Sequence, residues 1–128
     1  MSENRFYICR KCKNTVGLIH AGNQPLSCCG EWMTHMPIRN EKEYEQKHTP
    51  RVSCKDDRVT VDVGTVMHPQ TDSHGISWIY LETDRGGQRK QLMPGTRPYA
   101  EFALKDERPT AAYAFCNMHG LWKTDIDG

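Results

Sequence analysis

Six cysteines and six histidines in a chain of 128 residues constrain this sequence more than any other feature. Four cysteines fall within the first 29 residues, in a segment with few large apolar side chains: Cys9, Cys12, Cys28 and Cys29. A segment of this size is below the roughly 40 residues at which a domain folds without a metal or disulfides. Because the N-terminus lacks the long apolar run of an export signal, we expect reduced thiols. The sequence therefore predicts a metal-nucleated module over residues 1–36.

The spacing of these cysteines indicates one tetrahedral metal site. Cys9 and Cys12 place two sulfurs on one turn, and the adjacent pair Cys28 and Cys29 supplies two more. Four thiolates repel one another unless a cation holds them, and tetrahedral sulfur sites take zinc or iron. A structural zinc ribbon and two disulfides are the alternatives. The adjacent pair departs from the two C-x-x-C motifs of a zinc ribbon, and this departure favours iron.

The remaining chain, residues 37–128, has the two-residue period of β-strands. Valines alternate with polar residues over 59–63, and similar alternation recurs around Trp78, Phe102 and Tyr113. Turn sequences rich in Asp and Gly separate these strands, which is the pattern of an all-β sandwich. Before the first strand, a polar segment over residues 40–46 is predicted to form a short helix with Asn40 as its cap.

Composition excludes several classes of protein. The formal net charge is +1, so no global charge recruits nucleic acid or an anionic membrane. The mean hydropathy is −0.76, and no apolar run approaches the roughly 20 residues of a transmembrane helix.

Four histidines and one cysteine lie in or beside the predicted loops of this second region: His48, His68, His74, Cys116 and His119. Loops gather at the ends of a sandwich, so these side chains can converge on one metal. Zinc does not use five protein ligands, whereas iron accepts five or six and can keep one position for a small substrate. Taken singly, His68 can be a strand terminator and Cys116 a small buried hydrophobe. Cys54 lies in a polar stretch and is predicted to be a thiol outside both sites.

These motifs resemble those of the two-iron superoxide reductases, also called desulfoferrodoxins. Residues 7–12 and the Cys28 and Cys29 pair are similar to that family's desulforedoxin module. Residues 47–50, His68 with Pro69, His74 and residues 116–123 are similar to its catalytic domain, and all follow in the same order.

The resemblance implies a mainly β fold, with a desulforedoxin-like module over 1–36 and an immunoglobulin-like sandwich over 37–128. It implies a first iron with four sulfur ligands, namely Cys9, Cys12, Cys28 and Cys29. It implies a second iron with one axial thiolate and four equatorial imidazoles, namely Cys116, His48, His68, His74 and His119.

The activity implied by the resemblance is the one-electron reduction of superoxide to hydrogen peroxide, with two protons taken up and no dioxygen released. Lys47 is then expected to attract the anion and to help deliver a proton. The resemblance also implies a cytoplasmic homodimer that receives electrons from rubredoxin or a similar donor, with no nucleic acid or membrane partner. An electron-transfer or redox-sensor protein and a zinc-stabilised binding module are the alternative functions.

One position departs from the family pattern. The family usually has Glu-Lys-His before the first histidine ligand, and this chain has Gln46, Lys47 and His48. The carboxylate that the resemblance implies at the sixth position of the oxidised iron is therefore an amide here, with Glu45 one residue away.

Overall fold

The structure is a computed structural model that describes residues 5–64, 70–71 and 74–126, apart from the side chains of Glu43 and Gln46. The predicted ligand His68 lies outside the described residues. By its internal contacts the chain divides into two compact units, Met1–Pro37 and Ile38–Gly128. Within the described ranges, no helix is long and apolar enough to cross a membrane.

The described part of the N-terminal unit forms short antiparallel strands: β1 (Phe6–Ile8), β2 (Thr15–Gly17), β3 (Ser27–Cys28), β4 (Glu31–Trp32) and β5 (Thr34–His35). Strand β1 is central in a sheet of order β2-β1-β5, and β3 and β4 form a separate hairpin. Among the described residues of this unit, only Cys9 and Met36 are buried. So small an apolar core leaves a bound metal as the means of holding the unit together.

The second unit contains one helix followed by strands: α1 (Lys42–His48), β6 (Pro50–Lys55), β7 (Arg58–Val63), β8 (Ile76–Thr83), β9 (Gly86–Gln91), β10 (Tyr99–Ala103), β11 (Pro109–Cys116) and β12 (Gly120–Asp125). Two antiparallel sheets form, of order β10-β7-β6 and β12-β11-β8-β9. Their inner side chains make one core, in which Val61, Ile79 and Ala114 are fully buried. This arrangement of three and four strands is that of an immunoglobulin-like sandwich, so the predicted fold is confirmed.

The helix begins one residue later than the predicted cap allows. Glu41, not Asn40, is the N-cap residue, and its side chain makes no capping hydrogen bond. The Arg39 Nε donates instead to both carboxylate oxygens of Glu41, at 2.8 and 2.9 Å. The predicted Asn40 cap is wrong, because the helix begins at Lys42 and Asn40 lies one residue before the N-cap.

The pairing of β8 with β11 brings two loops to one end of the sandwich. These strands are antiparallel, so the start of β8 lies beside the end of β11, where Ile76 pairs with Cys116. The register shifts between Phe115 and Cys116, because Phe115 pairs with Trp78 and leaves Ser77 as an extra residue. Such bulges re-aim side chains at the ends of strands, and here the extra residue on β8 lets Ile76 join Ile79 and Leu81 in the core, beside Cys116.

Candidate metal centres

Two tight turns position the four cysteines of the N-terminal unit. Cys9 follows β1, and its carbonyl accepts a hydrogen bond from the Lys13 amide at 2.9 Å, which closes the turn that carries Cys12. Cys29 and Gly30 form the two-residue connection between β3 and β4, with φ of 54° and 78°. Two left-handed residues in a two-residue hairpin are typical of a type I′ turn. This turn lets the adjacent Cys28 and Cys29 direct both sulfurs to one point.

The sulfur separations fit one tetrahedral ion and exclude disulfides. All four Sγ atoms lie within 4.8 Å of one another. Cys28 Sγ is 3.6 Å from Cys12 Sγ and 3.9 Å from Cys29 Sγ. Four sulfurs about 2.3 Å from a central ion lie roughly 3.8 Å apart, whereas a disulfide requires about 2.05 Å. All six cysteines of the chain are free thiols, so the disulfide alternative is rejected.

The electrostatics of this cluster favour a bound cation. The backbone amide of Cys12, helped by that of Lys11, lowers the pKa of Cys9 to about 6. Hydrogen bonding with Cys12 and Cys28 raises the pKa of Cys29 to about 12. Opposite shifts within one cluster mean that the first thiolate suppresses ionisation of its neighbours. A metal ion removes that conflict, because it binds all four sulfurs as thiolates.

One further side chain contacts a sulfur of this cluster. The Asn14 Nδ2 donates to Cys28 Sγ at 3.6 Å. A hydrogen bond to a ligand sulfur stabilises the reduced state of an iron–thiolate centre, since it withdraws charge from the sulfur. Loss of a bond of about 1 kcal/mol corresponds to roughly 40 mV for one electron.

We therefore expect Asn14→Leu to lower the reduction potential of the four-cysteine centre by about 40 mV. A spectroscopic redox titration of the purified protein measures this shift. Asn40→Leu is the matched control, because Asn40 is exposed and lies before α1 in the other unit. An unchanged potential in Asn14→Leu would show that this contact does not act on the metal.

The second cluster lies at the end of the sandwich where β11 ends and β8 begins. Its four members lie in separate elements: His48 ends α1, His74 precedes β8, Cys116 ends β11, and His119 lies in the β11–β12 turn. One donor atom from each residue lies within 4.8 Å of the others. Donors on opposite sides of one ion, at about 2.0–2.3 Å from it, lie roughly 4 to 4.6 Å apart. The described members of the cluster are therefore spaced to bind one ion.

A hydrogen bond orients one imidazole, and a close contact shows which nitrogen of a second one faces the cluster. The His48 Nδ1 lies 2.7 Å from the Tyr44 carbonyl oxygen. A carbonyl only accepts, so Nδ1 carries the proton and Nε2 presents its lone pair as a ligand. The His119 Nδ1 lies 3.8 Å from Cys116 Sγ, which makes Nδ1 the nitrogen of that ring that faces the cluster.

Two aromatic side chains pack on the histidine rings, and sequence reasoning assigned neither of them a role. The Trp122 ring stacks on His48 with 5.0 Å between centroids, and its Nε1 donates to the His119 carbonyl at 3.2 Å. The Tyr44 ring stacks on His119 at 4.6 Å. Tyr44 precedes His48 by four residues, which places both on one helix face, and this spacing was the available signal.

Burial sets the charge states of Cys116 and His119. Burial raises the pKa of the Cys116 thiol, while the backbone amides of Met118 and His119 act in the opposite direction. Burial also lowers the pKa of His119, and the nearby charges of His74, Arg39 and Lys47 add to this effect. The histidine is thus kept neutral, as a ligand must be, whereas the buried thiol needs a bound cation to ionise.

The other predicted residues lie as follows. Lys47 is exposed in the last turn of α1, directly before His48. Cys54 is exposed on β6, and neither metal-binding cluster among the described residues includes it. Gln46 belongs to α1, but its side chain lies outside the description.

Comparison with known proteins gives a consistent result. Residues 40–125 match the family model described as desulfoferrodoxin. A desulfoferrodoxin homolog of Archaeoglobus fulgidus is 42% identical over 118 residues, which cover 92% of this chain and 94% of that protein. A desulfoferrodoxin of Nitratidesulfovibrio vulgaris is 37% identical over 124 residues, covering 97% and 98%.

The fold comparison extends over nearly the whole chain. The crystal structure of the superoxide reductase from Treponema pallidum is similar with a TM-score of 0.81 and 32% identity, and the match covers 96% of this chain and 98% of that one. The match of the family model, the level of identity and the two clusters of metal-ligand residues agree. This chain belongs to the desulfoferrodoxin family.

Proposed function

We propose that this protein is a superoxide reductase, which converts superoxide, one electron and two protons into hydrogen peroxide. The observation that carries the proposal is the second cluster, in which three imidazoles and one thiolate meet at the end of the sandwich. A four-cysteine cluster accompanies it in the same chain. The similarity to the superoxide reductase from Treponema pallidum supports the same activity.

Iron is the metal that we propose for both clusters, and at the second one it supplies the electron that superoxide receives. His48, His74, His119 and Cys116 are the proposed ligands there, with His68 as the fourth histidine. Mixed imidazole and thiolate donors suit iron, and the spacing of the described donors is compatible with one ion. Cys9, Cys12, Cys28 and Cys29 are the proposed ligands of the first iron.

The surrounding residues have separate tasks. The Tyr44 carbonyl and the Trp122 ring hold His48 in one orientation and one tautomer. The amides of Met118 and His119 point at the Cys116 sulfur and stabilise its anionic form. The Lys47 ammonium, exposed beside His48, provides the positive charge that attracts superoxide, and its Nζ is the proposed proton donor. None of these tasks requires a carboxylate at position 46.

Metal analysis of protein isolated without added zinc tests the proposal. We expect about two irons per chain, and two distinct ferric-thiolate absorption bands when the protein is oxidised. Iron at the four-cysteine site alone would indicate an electron-transfer or redox-sensor protein. Zinc there, with the second cluster empty, would indicate a zinc-stabilised binding module. Reduction of superoxide without release of dioxygen completes the test.

We also propose that the two units have different roles. Residues 1–36 form the desulforedoxin-like module, and residues 37–128 form the catalytic domain, because each cluster draws all its described ligands from one unit. A cytoplasmic location is supported by the six free thiols, since the five proposed cysteine ligands must stay reduced to bind metal.

We further propose a homodimer that takes electrons from rubredoxin or a similar small donor. In the N-terminal unit, the side chains of Ile19 and Trp32 are 99% and 67% exposed, which supports a contact with a second copy. Analytical ultracentrifugation measures the oligomeric state, and the rate of reduction by purified rubredoxin measures the donor's competence.

A further inference from the structure

We propose that Asn117 is a positioning residue that ties the loop carrying His74 to the hairpin carrying Cys116 and His119. Asn117 directly follows one proposed ligand, and its partner Gly75 directly follows another. A connection between these two residues therefore joins the neighbours of Cys116 and His74. The inference rests on the proposed metal centre, because it concerns how two of its ligands are held.

The connection consists of two hydrogen bonds. The Gly75 amide donates to the Asn117 Oδ1 at 3.0 Å, and the Asn117 amide donates to the Gly75 carbonyl at 3.1 Å. The last ladder pair between β8 and β11 is Ile76 with Cys116. One residue beyond this pair, the Asn117 side-chain oxygen accepts the bond that a backbone carbonyl accepts within the sheet. The pairing of the two chain segments therefore continues past the end of the strands. The ligand loop is thus paired with the hairpin beyond the end of the sheet.

Local bonds give the His74 loop its shape. The Thr71 amide and Oγ1 both donate to the His74 carbonyl, at 2.9 and 3.1 Å, and the His74 amide donates to Thr71 Oγ1 at 3.1 Å. The Gln70 Nε2 donates to the Ile76 carbonyl at 3.2 Å. These bonds join the loop to itself and to Ile76 of β8, and the Gly95 amide donates to the Gln70 carbonyl at 2.7 Å. The two bonds of Asn117 add a direct connection between the residue after His74 and the hairpin.

Gly75 is enclosed on the side of its own loop. A Cβ atom at this position would lie 3.1 Å from both Gln70 Oε1 and the Thr71 carbonyl oxygen. The backbone of Gly75 is therefore packed between its own loop and Asn117. A displacement of Asn117 is transmitted to His74 through this backbone, since the enclosed segment has little room to adjust.

Loss of the Asn117 side chain is expected to make the second centre release its iron faster. Groups that hold ligands in place typically change metal affinity by 10- to 100-fold, and one hydrogen bond of about 1.4 kcal/mol corresponds to the lower end. The backbone bond from the amide of residue 117 remains in any variant other than proline. We therefore expect Asn117→Ala to release iron from the second centre about tenfold faster than the parent.

The experiment uses the full chain loaded with iron and an excess of EDTA. The decay of the ferric-thiolate band of the second centre, with metal analysis of the desalted protein, gives the release rate. The four-cysteine centre in the same molecule is an internal reference, and its release rate should stay unchanged. Asn117→Asp keeps an oxygen acceptor of the same reach and should release iron within about threefold of the parental rate. If the alanine variant does not fold, Asn117→Ser replaces it, because the serine side chain is too short for its oxygen to reach Gly75.

Gln88→Ala is the matched control. The Gln88 Nε2 donates to the Ala103 carbonyl at 2.9 Å, so this variant also loses one side-chain-to-backbone bond between distant segments of the sandwich. Parental release from Asn117→Ala would overturn the inference, as would equal acceleration in Gln88→Ala or in the four-cysteine centre. A parent that contains no second iron would instead refute the proposed function, and the two failures are therefore distinguishable.

Discussion

Replacement of Cys116 by serine is expected to abolish superoxide reduction and to remove the ferric-thiolate band of the second centre. Cys116 is fully buried, and it supplies the single sulfur donor among the described members of its cluster. A neutral hydroxyl in this position provides neither the negative charge nor the soft donor of a thiolate. The loss is measured by stopped-flow reaction with superoxide and by the absorption spectrum of the oxidised protein.

Two controls separate this effect from unfolding. A buried hydroxyl costs about 1–3 kcal/mol when its hydrogen bond is not replaced, so the four-cysteine band must be followed in the same sample. Cys54→Ser should keep both bands and full activity, because Cys54 is exposed on β6 and an exposed substitution changes stability by about 0.5 kcal/mol or less. Loss of the second band in Cys54→Ser, with its retention in Cys116→Ser, would reverse the assignment of the sulfur ligand.

Replacement of Lys47 by alanine is expected to slow the bimolecular reaction with superoxide about tenfold or more. Superoxide is a small anion, and Lys47 is an exposed cation next to His48 whose charge also acts on His119. Steering by such a charge acts over roughly a Debye length, about 10 Å at 0.1 M salt, and weakens as salt is added. Lys47→Ala should therefore also flatten the dependence of the rate constant on ionic strength.

Lys42→Ala is the matched control for this prediction. It removes the same charge from the same helix, about 7.5 Å farther along its axis at the opposite end. At 0.1 M salt the rate constant of Lys42→Ala should stay within about threefold of the parent, since the added separation is close to one Debye length. Equal rates for Lys47→Ala and the parent at low salt would rule out the role proposed for Lys47.

Much of this protein could be predicted from its sequence, because closely spaced cysteines and histidines in a short chain have few roles other than binding a metal. The pairs Cys9–Cys12 and Cys28–Cys29 identified a sulfur site, and the structure brings all four atoms together. The alternating valines of 59–63 identified a strand with one buried face, which β7 confirms. Both predictions depend on local spacing, which is the information that a single sequence carries directly.

The tertiary structure decided the features that depend on contacts between distant segments. The left-handed turn at Cys29 and Gly30 shows how adjacent cysteines can serve one metal. The stacking of Trp122 on His48 joins residues 74 positions apart in the sequence. The helix α1 begins after Glu41, whose carboxylate pairs with Arg39 and makes no capping bond, and the capping pattern alone did not reveal this.

The second centre shows most clearly what the sequence predicts and what depends on the tertiary structure. The sequence by itself determined which side chains have the chemistry of iron ligands, since imidazole and thiolate groups are recognisable without a fold. Only the tertiary structure decided that His74 and Cys116 lie together, because this depends on the antiparallel pairing of β8 with β11 and on the bulge at its end. The pairing of Asn117 with Gly75 also depends on that register. The register of a strand is set by the packing of the whole sheet, so it cannot be read from a short segment of sequence.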